Sequence, residues 1–195
     1  MARKRSEKCH LAILNATADL LEEHGYLGLK IEDVAARAGA GKQTIYRWWG
    51  GKPQLALEAS FSNTDEVSLI ADTGSVEGDL RAYLGQMSDR LSDSERARTI
   101  AGLMAEAQTN DAFAEKFRER FLEPKRRAMR AVFERGKARG ELPGLANADL
   151  LTDLVYGPIW YRMLVGHAPL DRSFMEALIT SVMAAARAPL CQMMK

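Results

Sequence analysis

The chain has 195 residues, of which 47% are hydrophobic and 27% are charged, and its formal net charge at pH 7 is +1. These proportions are those of an ordinary globular protein, and no apolar run approaches the roughly 18 residues that a transmembrane helix needs. The basic start has no signal-peptide core behind it, and Cys9 and Cys191 lack the spacing of a disulfide framework or a zinc site. We therefore expect a cytoplasmic protein that has no membrane span, no metal and no cofactor.

The small net charge hides an uneven distribution of charged residues. Residues 1–52 hold nine Lys or Arg against six Asp or Glu, a balance of +3, whereas residues 53–195 hold eighteen against twenty, a balance of −2. A basic excess at one end is typical of a DNA-facing segment. The excess is modest, so it supports a function only together with a motif.

The first predicted helix extends from about Glu7 to His24, with rows of leucine and alanine along one face. Gly25 then ends the helix as a C-cap, because glycine accepts a positive φ without steric cost. The apolar residues within 26–29 are placed to pack this helix on the next two.

Residues 30–49 are the most informative stretch, because they indicate two short helices joined by a glycine turn. Gly39 and Gly41 bracket the turn, and in the second helix Ile45 and Trp49 can both face inward. Polar side chains share the opposite face of that second helix. Such a pair predicts a helix-turn-helix, whose second helix enters the DNA major groove. The apolar face of the first helix consists of Ile31, Val34, Ala35 and Ala38.

Gly50-Gly51 breaks the second helix, and a fourth helix is predicted from Lys52-Pro53 to Phe61. Beyond it the pattern is helical almost throughout, without the alternation that is typical of β-strands. The further predicted helices are residues 76–91, 94–109, 111–139, 147–166 and 171–187. The predicted N-caps are Ser94, Asn147 and Asp171.

The last two predicted helices are unusually apolar, and Gly157-Pro158 predicts a kink within the first of them. The apolar residues suit either the core of one chain or a four-helix bundle formed with a second copy, and the pattern leaves both interpretations open. The candidate dimer-interface residues are Leu154, Ile159, Leu178 and Val182.

The middle helices carry apolar and aromatic side chains that suit either a core or a small-molecule pocket. An apolar residue at helical spacing packs in the core by default, whereas a pocket with an apolar lining and few polar groups is typical of ligand sites. The candidate effector-pocket residues are Met87, Met104, Phe117, Phe121, Met129, Tyr156 and Trp160.

The segment ILNATADLLEEHGYLGLKIEDVAARAGAGKQTIYRWWGGKPQLALEA closely resembles the DNA-binding domain of the TetR (tetracycline repressor-like) family of bacterial transcriptional regulators. The likeness is continuous over residues 8–59, and the later stretch YGPIWYRMLVGHAPLD is similar to a motif of one branch of that family. The resemblance implies an all-α homodimer. Its N-terminal three-helix helix-turn-helix domain, residues 6–60, would bind a palindromic operator in double-stranded DNA. Residues 61–195 would form a helical domain for dimerisation and for binding a small-molecule effector.

The resemblance also implies which side chains contact DNA. Arg47 can donate two hydrogen bonds to guanine, and Gln43 can pair with adenine. Thr44, Tyr46 and Lys52 suit phosphate contacts, which set the register without reading the sequence. A local packing role for Tyr46 and a solvated charge for Lys52 are the alternatives. The residues that match DNA-contacting positions are Lys30, Lys42, Gln43, Thr44, Tyr46, Arg47, Trp48 and Lys52.

Three positions depart from the usual pattern of the family. Lys30 replaces a Ser or Thr, so we expect the second helix to lack a side-chain N-cap. Trp48 replaces a polar or basic residue, and its indole either contacts a sugar or thymine methyl or packs locally. Gly50-Gly51 replaces a Pro-Ser type of turn. These departures bear on base preference rather than on the class of protein.

These features bear on three classes of function. A ligand-responsive repressor, released from its operator by an effector, fits both the motif and a helical body larger than DNA binding requires. An architectural DNA-binding protein without an effector is the second class. An enzyme or carrier is disfavoured, because His10, His24 and His167 are scattered and no metal, phosphate-loop or nucleophile motif occurs.

Overall fold

The structure, a computed structural model, describes residues 7–62, 70–91, 94–143 and 146–188, whose regular elements are all helices, without a strand. This confirms the predicted all-α class. The helices are α1 (Glu7–Gly28), α2 (Ile31–Ala38), α3 (Lys42–Trp49), α4 (Lys52–Ser62), α5 (Val76–Leu91), α6 (Ser94–Thr109), α7 (Asp111–Phe117), α8 (Glu123–Ala138), α9 (Ala148–Val165) and α10 (Arg172–Arg187).

The helices pack into two compact units. Unit 1 is drawn from Met1–Glu66 and Ser94–Phe121, and unit 2 from Val67–Asp93 and Leu122–Lys195. The units therefore do not coincide with the predicted domains 6–60 and 61–195. The physical reason is that α6 and α7 pack on α1 and α4. The functional division at residue 60 stays a prediction.

Unit 1 is built around α1, which contacts α2, α4 and α6. Gly25, where the first helix is predicted to end, has a φ of 63°. One further helical turn follows it, up to Gly28, within α1. Tyr26, in that turn, is buried, and α6 approaches its ring at a glycine: a Cβ on Gly102 would lie 2.7 Å from the Tyr26 ring. The Tyr26 hydroxyl donates to Glu106 Oε2 at 3.0 Å, which holds α6 on α1.

Unit 2 consists of α5, α8, α9 and α10 around one apolar core. Asp79 is fully buried at its edge, where it accepts hydrogen bonds from the backbone N–H and the hydroxyl of Thr73 (2.7 and 2.8 Å) and from Arg135 (2.8 Å). Burial by itself would raise the pKa of Asp79, but these donors outweigh it and lower the pKa below its usual range. The carboxylate thus fixes the segment before α5 onto α8.

The predicted helix 111–139 contains a π-helical segment, Arg118–Leu122, between α7 and α8. Pro124 follows this segment and has no amide hydrogen for the carbonyl one turn earlier, so the α-helical bonding is interrupted there. In contrast, α9 continues across Pro158 as one element, and the kink predicted there stays a prediction.

The helix termini test the predicted caps. Asn147 accepts hydrogen bonds from the N–H groups of Asp149 and Leu150, both at 3.0 Å, and Asp171 accepts from Phe174 at 2.8 Å, so both predicted N-caps are confirmed. The side chain of Ser94 and all of Cys191 lie outside the described residues. None of the described helices combines the length and apolar content that a bilayer span requires.

Candidate nucleic-acid interface

The turn between α2 and α3 has the geometry that the glycines predict. Gly39 is left-handed, with φ 61° and ψ 34°, and its N–H caps the end of α2. Gly41 is extended and precedes α3, whereas Gly50 is again left-handed (φ 79°) and donates to the carbonyl of Tyr46 at 2.8 Å. Glycine adopts positive φ without strain, so the carboxyl-terminal ends of α2 and α3 are both set locally.

The two faces of α3 differ as the sequence predicts. Ile45 and Trp49 are buried, and so are Ile31 and Val34 of α2, so the pair of helices rests on an apolar base. The outward face is polar, and Tyr46 on it is 50% exposed. Lys42, Gln43 and Arg47 are exposed, and Thr44 and Trp48 are half-buried. This exposed face matches the shape of a major-groove reading helix.

Lys30 stands at the N-cap of α2 in an extended conformation, and no side-chain cap bond forms there, as predicted. At the start of α3, Lys42 Nζ lies 3.0 Å from Glu32 Oε1 of α2, and both groups are exposed. The hydrogen bond from Lys42 lowers the pKa of Glu32. A phosphate oxygen approaching Lys42 would compete with this carboxylate.

The ammonium group of Lys52 has partners within the protein, so it is not simply a charge surrounded by solvent. Its Nζ donates to the Leu27 carbonyl at 3.3 Å and lies 4.6 Å from the centroid of the Tyr26 ring. Burial lowers the pKa of Lys52, and nearby Glu106 opposes that shift. The ammonium group therefore already joins the start of α4 to the end of α1.

A group that we call the Glu58 cluster, His10, Trp48, Trp49 and Glu58, lies at the end of α3. The indole N–H of Trp49 donates to Glu58 Oε2 at 3.0 Å, and His10 Nε2 donates to Oε1 at 2.8 Å. The imidazole stacks on the Trp49 ring with centroids 5.1 Å apart and planes 8° apart. Trp48 contacts the Trp49 ring edge-on at 5.7 Å and lies 6.2 Å from His10. Sequence reasoning missed His10 and Glu58, because no local spacing links residues 48 apart.

The predicted pocket residues are divided between the two units. Met104, Phe117 and Phe121 belong to unit 1, where both phenylalanines are buried. In unit 2, Met129 is fully buried and Tyr156 is buried with its hydroxyl 2.9 Å from that of Tyr83. Burial raises the pKa of Tyr156 well above its usual range. Met87 and Trp160 are partly buried against the same core.

A surface groove of about 360 Å³ in unit 2 has none of these seven residues in its lining. It runs between α5 and α10, over an apolar floor that includes Met175 and Ile179. Arg81 pairs with Glu176, and Arg172 pairs with Asp89, along its sides. Within the part of the chain that the structure describes, no group of three or more His, Cys, Asp or Glu is arranged to hold a metal ion.

The four predicted interface residues are placed differently from one another. Leu154 is 38% exposed, whereas Ile159, Leu178 and Val182 are buried in the core of unit 2. The side chains of those three are already covered within one chain, and their place in a dimer interface stays a prediction. Helical periodicity marks an apolar helix but does not tell which part of its circumference meets its own core. The exposed apolar residues of α9 are Leu150, Leu154, Tyr161, Leu164 and Val165.

Comparisons with known proteins agree with this architecture. Residues 13–59 match the family model described as bacterial regulatory proteins, tetR family, and residues 70–182 match the one described as tetracyclin repressor-like, C-terminal domain. The chain is 32% identical over 177 residues to the HTH-type transcriptional regulator YdeS of Bacillus subtilis, which is 91% of this chain and 89% of YdeS. It is 29% identical over 185 residues to the DNA-binding transcriptional repressor TetR of Mycobacteroides abscessus, with coverages of 92% and 94%.

A solved structure extends the agreement to three dimensions. The TetR family transcription regulator SCO0332 has a TM-score of 0.78 and 27% identity to this chain, covering 94% of this chain and 100% of SCO0332. The helix-turn-helix geometry, both family models and relatives that span nearly the whole chain all agree. The protein therefore belongs to the TetR family of bacterial helix-turn-helix transcriptional regulators.

Proposed function

We propose that this protein is a repressor that binds a palindromic operator as a homodimer and leaves the operator when a small molecule binds its C-terminal helical domain. The observation that carries the proposal is the exposed polar face of α3 on a buried apolar base, held between two left-handed glycines. The relative from Mycobacteroides abscessus is named as a repressor, which supports the same direction of control.

The exposure of each side chain supports a division of roles on α3. Arg47 and Gln43 are exposed and point away from the buried Ile45, so they are assigned to base edges. Thr44 and Tyr46 are assigned to phosphates, where hydroxyl groups donate without reading the base. These contacts position α3 along the groove before the bases are read.

The lysines around the helix-turn-helix are assigned to the phosphate backbone. Lys30 precedes α2 and is exposed, and Lys42 exchanges Glu32 for a phosphate when DNA arrives. Lys52 has to leave the Leu27 carbonyl to do the same, so its contribution is the smallest of the three. Trp48 packs on Trp49 and His10, which favours local packing over a DNA contact for its indole.

Dimerisation is assigned to the exposed face of α9. Five exposed apolar side chains follow one another at helical spacing along that helix, which is unusual for a surface that faces only water. On α10, the exposed positions include small side chains such as Ala177, Ser181 and Ala184, which allow close approach of a second helix. A two-fold pairing of the same face from two copies would cover both.

The effector is assigned to the helical domain after residue 60. Met129, Tyr156, Trp160 and Met87 share one core in unit 2, and the paired hydroxyls of Tyr83 and Tyr156 offer polar groups within apolar surroundings. Such a lining is typical of small-molecule sites. Met104, Phe117 and Phe121 lie in unit 1, and their assignment to the effector stays a separate prediction.

The decisive experiment uses duplexes from upstream of the protein's own gene and of the adjacent genes. We expect a mobility shift with at least one duplex at low salt, resistant to excess unrelated DNA of equal length. Candidate effectors found by thermal shift should then release the protein from that duplex. A complete lack of binding at low salt would contradict the proposal, and dispersed binding without ligand release would favour the architectural alternative.

The dimer assignment has its own test. Replacing Leu164 by Glu places a charge in the exposed stripe of α9 without touching the core of unit 2, because Leu164 is exposed. We expect sedimentation to show weakened association and operator binding to need a higher protein concentration. Replacing exposed Ala131 by Glu on α8, outside both helices of the proposed interface, is the matched control.

A further inference from the structure

The Glu58 cluster joins three helices at the carboxyl-terminal end of α3. His10 lies on α1, Glu58 lies on α4, and Trp48 and Trp49 are the last two residues of α3. The side chains of His10 and Glu58 are 17% and 26% exposed, so the cluster is largely shielded from water. A carboxylate in such a place accepts stronger hydrogen bonds than a neutral oxygen would.

The Trp49 indole is restrained along two directions at once. Its N–H, which a buried tryptophan has to satisfy, donates to Glu58 Oε2 at 3.0 Å. Its face is covered by the nearly parallel ring of His10, whose Nε2 is held 2.8 Å from the other oxygen of the same carboxylate. An edge bond and a face contact together fix both the tilt and the position of the ring.

This restraint matters because α3 has only eight residues. Its inward side chains, Ile45 and Trp49, are one turn apart. Apolar packing of Ile45 is not directional, so it permits small rotations of the helix about its axis. The hydrogen bond of the Trp49 indole is directional, and it therefore limits those rotations. A rotation of α3 would displace Gln43 and Arg47 on the outward face relative to the base edges.

We propose that Glu58 is a positioning residue for sequence recognition, which sets the orientation of α3 through the Trp49 indole. The inference rests on the proposed operator binding but concerns Glu58 and Trp49, which are not among the side chains assigned to DNA contacts. One expectation distinguishes a positioning role of Glu58 from a purely structural role. Its loss should reduce binding to the specific duplex more than binding to unrelated DNA, because phosphate contacts tolerate a small rotation and base contacts do not.

The variants are chosen to separate orientation from stability. Glu58→Ala removes both hydrogen bonds, whereas Trp49→Phe keeps the buried ring and the stacking but removes the indole N–H. Glu58→Gln is the conservative rescue: its amide oxygen accepts from Trp49, and its amide N–H donates to His10 in the other tautomer. Arg120→Gln is the control, because Arg120 is exposed and lies 3.8 Å from the same carboxylate.

The first measurement needs no DNA. In the full-length protein labelled with ¹⁵N, we expect the Trp49 indole N–H resonance to move and to exchange faster with solvent in Glu58→Ala. It should stay in place in Arg120→Gln. An unmoved resonance in Glu58→Ala would overturn the proposal, whatever the protein does with DNA.

The second measurement is the Kd for the duplex from upstream of the protein's own gene and for an unrelated duplex of equal length, by fluorescence anisotropy. We expect a loss on the order of tenfold on the first duplex for Glu58→Ala and Trp49→Phe, the size of one weakened base contact. Binding to the unrelated duplex should change by less than about twofold, as should both Kd values of Glu58→Gln and Arg120→Gln.

The outcomes distinguish this inference from the proposed function. Wild-type Kd values on the upstream duplex in folded Trp49→Phe would overturn the positioning role while leaving operator binding intact. Equal losses on both duplexes, together with a lower Tm, would also overturn it, because they indicate a structural role. If the wild type binds the upstream duplex no more tightly than the unrelated duplex, the proposed operator binding is wrong. The indole resonance alone then decides whether Glu58 orients Trp49.

Discussion

Two carboxylates, one in each unit, organise their surroundings in different ways. Asp79 in unit 2 is fully buried and accepts from a guanidinium, a backbone N–H and a hydroxyl. Glu58 in unit 1 is partly exposed and accepts from an indole and an imidazole at the end of α3. The first arrangement ties a loop to a helix with a buried charge pair, whereas the second orients a ring on a functional helix. Full burial and a direct hydrogen bond from a guanidinium thus distinguish the first carboxylate from the second.

The largest expected effect comes from removing the buried carboxylate. Asp79→Ala leaves Arg135 without its close partner and the Thr73 N–H without an acceptor. Breaking a buried, hydrogen-bonded pair costs about 3 kcal/mol, so we expect the free energy of unfolding to fall by that amount. Urea denaturation followed by circular dichroism measures the loss. Asp72→Ala is the control: Asp72 is exposed and contacts Arg139 at 3.0 Å, so its loss should cost less than about 1 kcal/mol. Similar losses for both would break the contrast between buried and exposed carboxylates.

The next effect tests the recognition role of unit 1 through Arg47. Arg47 is exposed on α3, so Arg47→Ala should leave the free energy of unfolding unchanged while removing about 1–3 kcal/mol of discrimination between the operator and unrelated DNA. Competition anisotropy with both duplexes gives the discrimination directly. An unchanged ratio of the two Kd values would show that Arg47 does not read a base.

The pH dependence of stability tests Asp79 in a second way. The pKa of Asp79 is lower in the folded protein than the usual value of about 3.9 in the unfolded chain. Its stabilising contribution is therefore complete above that value and is lost as the pH falls through the folded-state pKa. We expect the difference in unfolding free energy between the wild type and Asp79→Asn to shrink as the pH is lowered from 5 towards 2. A difference that stays constant over that range would argue against a charge-dependent role.

The smallest effect concerns Lys52, which holds the Leu27 carbonyl in the free protein. If it exchanges that carbonyl for a phosphate, Lys52→Ala should weaken binding to all duplexes alike and reduce the slope of log K against log salt by about one. Titrations at several salt concentrations measure the slope. Loss of stability with an unchanged slope would instead assign Lys52 to the joint between α1 and α4.

Local features of the sequence determined the elements and the outward face of α3. The glycine turn at Gly39, the missing cap at Lys30, the N-caps Asn147 and Asp171, and the helices 76–91 and 94–109 all follow from neighbouring residues. Backbone φ, capping and helical periodicity act within a few residues, so one sequence suffices to read them.

Only the tertiary structure decided which apolar and polar faces meet. It placed Ile159, Leu178 and Val182 inside unit 2, and it grouped α6 and α7 with the N-terminal helices. It also brought His10 and Glu58 to the Trp49 indole. The physical reason is common to all of these: local spacing shows that a helix has an apolar side, but the partner of that side is selected by packing between segments far apart in the chain.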